Sequence, residues 1–249
     1  MLGRLTRLLR AAVRRFRNKD DFDWPNYTKI YSQALDGKDS VGITLILHHS
    51  QFSIKEGKLN LNPGVPPLHP NHKLIYEAAY RLQPNSVLEV GFGGGYHLVN
   101  LARLLPDADI HGCDLLESQL QLAVSRYPDL TARAKLFVHD ITKSPPPVKV
   151  DLVFTQTVVM HIQKDQRHLN ALRNIFHASS KYVLLMENWS SHNFFADIKK
   201  VSQEASFPWK ALYMYFIDDR KQQILVVLSN TKIDGLQALT RNEELLKYL

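Results

Sequence analysis

The sequence predicts an α/β fold: a doubly wound, mostly parallel, seven-stranded sheet that ends in an antiparallel hairpin. From residue 86 onward, short β-branched apolar runs alternate with segments of helical period. This alternation is typical of strands that are buried on both faces by crossover helices. The last two apolar runs are joined only by residues 218–221, a connection too short for a helix, so these two strands should pair antiparallel.

The composition is that of an ordinary globular protein. The chain has 249 residues, of which 45% are hydrophobic and 22% are charged, enough to bury one sizeable core and to exclude a disordered chain. Cys113 is the single cysteine, so the chain can form neither an internal disulfide nor a thiolate zinc site, which favours a cytoplasmic location. No apolar run approaches the roughly 18 residues of a membrane span.

Residues 1–20 predict a basic amphipathic helix. Apolar residues recur at steps of three and four, and the segment contributes +6 of the formal net charge of +7, which leaves the rest of the chain with +1. A net charge of +1 is too small for a broad positively charged surface that would bind a phosphate backbone, so nucleic acid is not expected as a partner. Regularly spaced arginines exclude a secretory signal. Three interpretations stay open: a helix packed on the domain or a partner, docking on an anionic membrane surface as a peripheral membrane protein, and a transit peptide.

Residues 21–70 predict an N-terminal cap or lid, and residues 71–249 the main domain. The lid segment is rich in aromatic and turn residues and shows no long helical period. The domain should begin with a helix over residues 71–82, capped by Asn71, because its apolar residues form one stripe that ends just before Pro84.

The strands and helices of the sheet follow in chain order. Strands are expected at residues 86–90, 109–113, 134–138, 150–154, 182–186, 210–217 and 223–228. Helices are expected at residues 96–105, 118–126, 166–178 and 194–204.

The sharpest motif is a glycine cluster at the end of the first strand of this sheet. Glu89, Gly91, Gly93 and Gly95 lie between an apolar strand and a helix, where open α/β sheets bind ligands and where glycine lets backbone N–H groups approach them. A dinucleotide fingerprint needs a glycine at position 96, which is Tyr96. The cluster predicts another nucleotide-type site, with a purely structural turn as the alternative.

Two aspartates end the next two strands. Asp114 follows Gly91 by 23 residues, where its carboxylate can accept hydrogen bonds from a ribose diol. Asp140 can accept from the amino group of adenine, with Leu115 and Ile141 on the two faces of the ring. Each aspartate is also typical of a helix N-cap, which stays the alternative.

Together these features resemble the class I S-adenosylmethionine-dependent methyltransferases. The Glu-x-Gly-x-Gly-x-Gly pattern of residues 89–95 is similar to the first motif of that family, Asp114 to its ribose-binding acid and Asp140 to its adenine-contacting acid. The resemblance covers about residues 71–230 and implies a methyltransferase with S-adenosylmethionine as cofactor. It also implies that Thr155 and Gln156, at the end of the fourth strand, lie beside the cofactor at the reactive methyl.

The residues beyond the fourth and fifth strands bear on the methyl acceptor. No Asn-Pro-Pro-Tyr motif follows the fourth strand, and Thr155 and Gln156 replace the acidic cluster of magnesium-dependent catechol-type enzymes, so no metal is expected. His161 is the candidate base for a hydroxyl acceptor, and a histidine satisfied by backbone groups is the alternative.

Glu187, Trp189 and His192 follow the fifth strand and predict contacts with a hydroxylated acceptor such as a sugar, unless Trp189 is simply buried. We therefore expect O-methylation of a small molecule or a glycan. A protein or RNA methyltransferase and a non-catalytic cofactor-binding module are the alternatives.

Overall fold

The computed structural model describes Trp24 and residues 45–189, 191–217 and 223–236, with the side chains of residues 223 and 224 excepted. The predicted basic helix at residues 1–20 and much of the predicted lid lie outside these residues. The described strands are β1 (Phe52–Lys55), β2 (Lys58–Leu61), β3 (Ser86–Val90), β4 (Asp109–Asp114), β5 (Ala134–Val138), β6 (Val150–Gln156), β7 (Ser179–Asn188), β8 (Tyr213–Phe216) and β9 (Gln223–Ser229). The described α-helices are α1 (Pro70–Leu82), α2 (Tyr96–Leu104), α3 (Glu117–Arg126), α4 (Leu130–Arg133), α5 (Arg167–Ala178) and α6 (Phe194–Ser202).

The main sheet has seven strands in the order β5-β4-β3-β6-β7-β9-β8. Strands β3 to β7 are parallel, whereas β9 lies antiparallel between β7 and β8. The predicted fold class is confirmed, including the antiparallel pair at the end of the chain. Because β3 lies between β4 and β6, the strand order reverses at β3, and this switch point is where open α/β sheets bind ligands.

The sheet separates two hydrophobic layers. Successive residues of a strand point to opposite faces, so Val87 belongs to one cluster and Leu88 to the other. The first cluster includes Ile75 of α1, and the second includes Leu172 of α5. This three-layer arrangement explains why the strands appear in the sequence as continuous apolar runs.

Several element boundaries differ from the sequence-based prediction. The cap of α1 is not Asn71 but His69, whose Nδ1 accepts a hydrogen bond from the amide of Asn71 at 3.3 Å, with Pro70 in the first helical position. Pro70 favours this start because its fixed φ suits the first turn and its missing N–H is not needed there. Strand β7 is longer than predicted, since β9 pairs with it from Tyr182 to Asn188.

The hairpin of β1 and β2 was not predicted. Glu56 and Gly57 form its turn with φ of 52° and 74°, both in the left-handed region that two-residue hairpin turns require. The segment packs on the domain, because the amide of buried Leu59 donates to Glu77 Oε1 on α1 at 2.7 Å. The described part of the predicted lid is therefore attached to the core. Among the described helices, none combines the length and apolar character needed to cross a membrane.

Candidate functional site

A cavity of about 280 Å³ opens at the carboxyl ends of β3, β4 and β6. Its walls combine the glycine loop after β3, the acids after β4 and β5, and the loop after β6. The predicted site residues on these walls are Glu89, Gly91, Gly93, Asp114, Leu115, Asp140, Ile141, Gln156 and His161. The cavity also includes Trp24, which belongs to the predicted lid.

The glycine loop has the backbone conformation that its sequence predicts. Gly91, Gly93 and Gly95 have φ of 78°, 51° and 81°, a region that other residues rarely adopt. The N–H of Gly91 donates to the carbonyl of Cys113 at 2.7 Å, which ties the loop to β4. A Cβ at Gly91 would lie 2.4 Å from Val158 Cγ2, so this loop directly contacts the loop after β6.

Two buried carboxyl groups lie beside the glycine loop. Asp114 accepts hydrogen bonds from the N–H of Gly93 at 3.0 Å and the N–H of Leu116 at 3.2 Å. Glu89 is 1% exposed, and its Oε2 has no hydrogen-bond partner among the described residues. Burial raises the pKa of Glu89 well above its usual range, and the charge of Asp114 raises it further. Burial also raises the pKa of Asp114, against the lowering effect of its backbone hydrogen bonds. These groups could accept hydrogen bonds from a diol or neutralise a cation.

The opposite end of the cavity has the features expected around an adenine ring. Asp140 Oδ1 accepts from the backbone N–H and the hydroxyl of Thr142, at 3.0 and 2.7 Å. Burial alone would raise the pKa of Asp140, but the hydrogen bonds from Thr142 and the nearby Lys143 lower it, so the group is an anion near neutral pH. Leu115 is 43% exposed at this wall, whereas Ile141 is buried. An exposed leucine on a cavity wall is suited to cover the face of a ring.

Gln156 lies at the end of β6 in a chain of hydrogen bonds that was not predicted. Its Oε1 is 2.7 Å from His97 Nε2, and its Nε2 is 3.1 Å from His72 Nε2. The hydroxyl of Tyr76 is 3.0 Å from His97 Nδ1 and accepts from Asn100 Nδ2 at 2.9 Å. Because an amide oxygen can only accept, His97 donates through Nε2 and accepts from Tyr76 through Nδ1.

Burial lowers the pKa of His97 to about 3, so its ring is neutral. The direction of the hydrogen bonds from Tyr76 to His97 and from His97 to Gln156 is therefore fixed. His72 and Tyr76 are four residues apart on α1, and His97 and Asn100 are three apart on α2. That spacing, which puts each pair on one face of its helix, was the signal available in the sequence.

Thr155 and Glu187 lie on the buried side of the loop after β6, and Glu187 binds this loop through hydrogen bonds. Glu187 is fully buried and accepts from the hydroxyl of Thr155 at 2.6 Å, the N–H of Val158 at 3.2 Å and the N–H of Met160 at 3.0 Å. Burial raises the pKa of Glu187, while these hydrogen bonds act to lower it. Neither Thr155 nor Glu187 is among the residues that line the cavity, so their expected contacts with cofactor and acceptor stay predictions.

Trp189 and His192 are also placed away from the cavity lining. Trp189 is 5% exposed and packs against Phe194 and Phe216, with ring centroids 5.3 and 5.7 Å away. This is the buried alternative to the expected stacking on a sugar. His192 instead stacks on His168, with ring centroids 4.0 Å apart. The expected contact of these two residues with an acceptor stays a prediction.

His161 lines the cavity next to the loop after β6. It ends a 3₁₀ turn, Val159–His161, that follows β6, and its ring meets the ring of Trp24 edge to face at 5.5 Å. Since the N–H groups of Val158 and Met160 are bound to Glu187, the turn that carries His161 is anchored to β7. A histidine in this place can accept a proton from a group bound in the cavity.

Comparisons with known proteins bear on the fold of the chain. The family model described as a methyltransferase domain matches residues 87–180. A TehB-like S-adenosylmethionine-dependent methyltransferase from Corynebacterium glutamicum is 16% identical, with a TM-score of 0.55, over 84% of this chain and 100% of that one. An S-adenosylmethionine-dependent methyltransferase from Aquifex aeolicus is 12% identical, with a TM-score of 0.52, over 81% and 97%.

A candidate O-methyltransferase from Nostoc punctiforme is 17% identical, with a TM-score of 0.51. That match covers 64% of this chain and only 55% of the Nostoc chain. A search of curated protein sequences finds no match.

The sheet order and the glycine loop at its switch point define a class I methyltransferase fold. Together with the match of residues 87–180 to the model of a methyltransferase domain, they support an S-adenosylmethionine-dependent methyltransferase. The same match and fold support S-adenosylmethionine as the cofactor. The sequence-based predictions of family, enzyme class and cofactor are confirmed.

Proposed function

We propose that the protein methylates a hydroxyl group of a small molecule or a glycan. One observation carries this proposal: the imidazole of His161 lines the same cavity as the glycine loop and Asp114. A hydroxyl acceptor needs a group that takes its proton, whereas a more basic acceptor does not. A neutral imidazole is suited to that task near neutral pH.

We further propose that the cofactor binds along the glycine loop, from Glu89 to the wall formed by Leu115 and Ile141. When bound, S-adenosylmethionine supplies a methyl group already activated on a positively charged sulfur. The buried carboxyl groups of Glu89 and Asp114 fit the cationic end and the ribose diol, and the unpartnered Oε2 of Glu89 has capacity to accept a hydrogen bond. Asp140 accepts from the exocyclic amine of adenine.

On the acceptor side, His161 receives the proton of the acceptor hydroxyl. Glu187 is a positioning residue in this scheme, since it anchors the turn that carries His161 through Val158 and Met160. Gln156 is held in one orientation by His97 and presents a fixed amide beside the reacting groups. Much of the rate enhancement then comes from holding the acceptor in line with the activated methyl.

The experiment is an acceptor screen with a tritiated methyl donor, using separate pools of hydroxylated small molecules, oligosaccharides, proteins and RNA. We expect label in the first two pools. His161→Ala should lower turnover about 100-fold or more, since general base catalysis contributes roughly that much, while cofactor affinity stays nearly intact. His177→Ala, an exposed histidine on α5, is the matched control and should keep full turnover.

Two results would count against the proposal in different ways. Equal turnover of the His161 and His177 variants at every pH would contradict the role of His161 as base. Label that enters only protein or RNA would contradict the acceptor class while leaving the methyltransferase itself in place.

A further inference from the structure

Three potential metal ligands come together outside the cofactor cavity. His168 lies in the first turn of α5, His192 in the loop between β7 and α6, and Asp197 in the first turn of α6. One ligand atom from each of these residues lies within 4.8 Å of the other two. None of the three lines the cofactor cavity, so this His168–His192–Asp197 cluster is a separate feature.

The spacing of the cluster suits a tetrahedral ion. His168 Nε2 and Asp197 Oδ2 are 3.4 Å apart, longer than a good hydrogen bond. Two ligands that each lie about 2.0–2.1 Å from a tetrahedral zinc ion are separated by about 3.3 Å. The other separations are at most 4.8 Å and close to this value with side-chain shifts of up to about 1.5 Å. The rings of His168 and His192 are stacked at 14°, so the His168 ring has to turn out of this parallel arrangement for both imidazoles to bind one ion in their ring planes.

The two imidazoles have ring nitrogens available for a ligand. His192 Nε2 is shielded from solvent and has no hydrogen-bond partner among the described residues. The same ring is hydrogen-bonded to the backbone of Val159 and Ile162, which leaves Nδ1 as the atom involved. A histidine that donates one N–H to a backbone carbonyl is the usual arrangement of a metal ligand, because that bond fixes the ring and its tautomer. In His168 the nitrogen that faces Asp197 is Nε2, and Nδ1 is buried without a hydrogen-bond partner within the described part of the chain, so no hydrogen bond of Nδ1 holds this ring.

We propose that His168, His192 and Asp197 bind a divalent transition-metal ion, with Zn²⁺ as the best fit. Two imidazoles and one carboxylate form a known zinc ligand set, in which water completes the coordination. The positive charge of nearby Lys200 acts on His168 and opposes a cation there. Lys200 is exposed, however, so solvent and salt screen its charge. No cysteine is involved.

The position of the cluster gives the ion a structural role. It joins α5, α6 and the loop after β7, and through His192 it reaches the backbone of Val159 and Ile162. Ile162 lines the cofactor cavity, and Val159 begins the turn that ends in His161. The ion therefore stabilises the wall that faces the acceptor without contacting the reacting groups.

The test uses the full chain, with any affinity tag removed and stripped of metal by a chelator. Zn²⁺ is titrated in competition with a chromophoric chelator, and the bound metal is counted by plasma mass spectrometry. We expect one tightly bound ion and a higher melting temperature with Zn²⁺. Asp197→Asn keeps the size and polarity of the side chain but is a poor ligand, so it should weaken binding by about 100-fold or more, since loss of outer partners alone costs 10- to 100-fold.

His168→Asn should weaken Zn²⁺ binding to a similar extent, whereas His177→Asn on the exposed side of the same helix should bind as the original chain does. If His168→Asn does not fold, Asp197→Asn decides the matter, with titration of S-adenosylmethionine as the check on its fold. A chain that binds no stoichiometric Zn²⁺, or equal Zn²⁺ affinity in the Asp197 and His177 variants, would overturn the proposal.

Discussion

Glu89 shows how the burial of one residue sets the chemistry of the cavity that it lines. Its carboxyl group is almost fully buried beside Asp114, and both effects raise its pKa above the ordinary value of 4.5. The folded state therefore binds the proton of Glu89 more tightly than the unfolded state does. This contributes stability that is fully present below about pH 4.5 and is lost as the pH rises through the folded pKa.

From this we predict that cofactor affinity rises with pH above 4.5, up to and through the raised pKa of Glu89. A cationic ligand favours the ionised carboxylate, so binding should release a proton in this window. Calorimetry in buffers of different ionisation enthalpy measures the number of protons released. Glu89→Gln should release fewer protons and show a flatter affinity profile, and identical proton release by both proteins would contradict the role of Glu89.

At the scale of elements, the decisive contact lies between the glycine loop and the loop after β6. Gly91 approaches Val158 so closely that a Cβ would lie 2.4 Å from Val158 Cγ2. Gly91 also has a φ of 78°, which costs other residues about 1–3 kcal/mol. The glycine loop and the loop that carries His161 are thus packed as one unit.

We predict that Gly91→Ala destabilises the protein by more than its backbone strain alone and also weakens cofactor binding. Gly64→Ala is the matched control, because Gly64 has a φ of 84° with nothing within 4 Å of its would-be Cβ. Urea unfolding gives the two changes in the free energy of unfolding. Equal losses of unfolding free energy in the two variants would contradict this prediction, because they would show that the overlap with Val158 adds no free-energy cost.

Elements buried on both faces were the most predictable part of this fold. All seven strands of the main sheet were located from their apolar runs, because crossover helices cover both sides of the sheet. Strand ends were less predictable, since pairing partners decide them, as β9 does for β7. The β1–β2 hairpin was missed although Glu56-Gly57 sits between alternating apolar residues, which is a hairpin signal.

Within the site, backbone-determined features were predictable and side-chain directions were not. The glycine loop and Asp114 follow from local conformation and strand order. The direction of Glu187 depends on which face of β7 it occupies, and a shift of one residue reverses that face. The hydrogen bond from Gln156 to His72 joins residues 84 positions apart, so only the folded chain brings them together.

At the scale of the whole molecule, described residues that precede α1 are tied to α1 and α2 by hydrogen bonds. The amide of buried Leu47 donates to Asn100 Oδ1 at 2.8 Å, and Asn100 also belongs to the hydrogen-bond chain that includes Gln156. The segment before α1 is therefore coupled to the end of β6. Trp24 lines the cavity as well, and its ring contacts the ring of His161.

The account's central claim is that the cavity at the switch point binds S-adenosylmethionine through the acid that ends β4. The most direct test is calorimetric titration of the full chain and of Asp114→Ala with S-adenosylmethionine. A hydrogen bond to a charged group contributes roughly 1.5–3 kcal/mol, so we predict one site in the original chain and an affinity about 10- to 150-fold lower in the variant. Unchanged affinity in a folded Asp114→Ala protein would contradict the assignment of this cavity as the cofactor site.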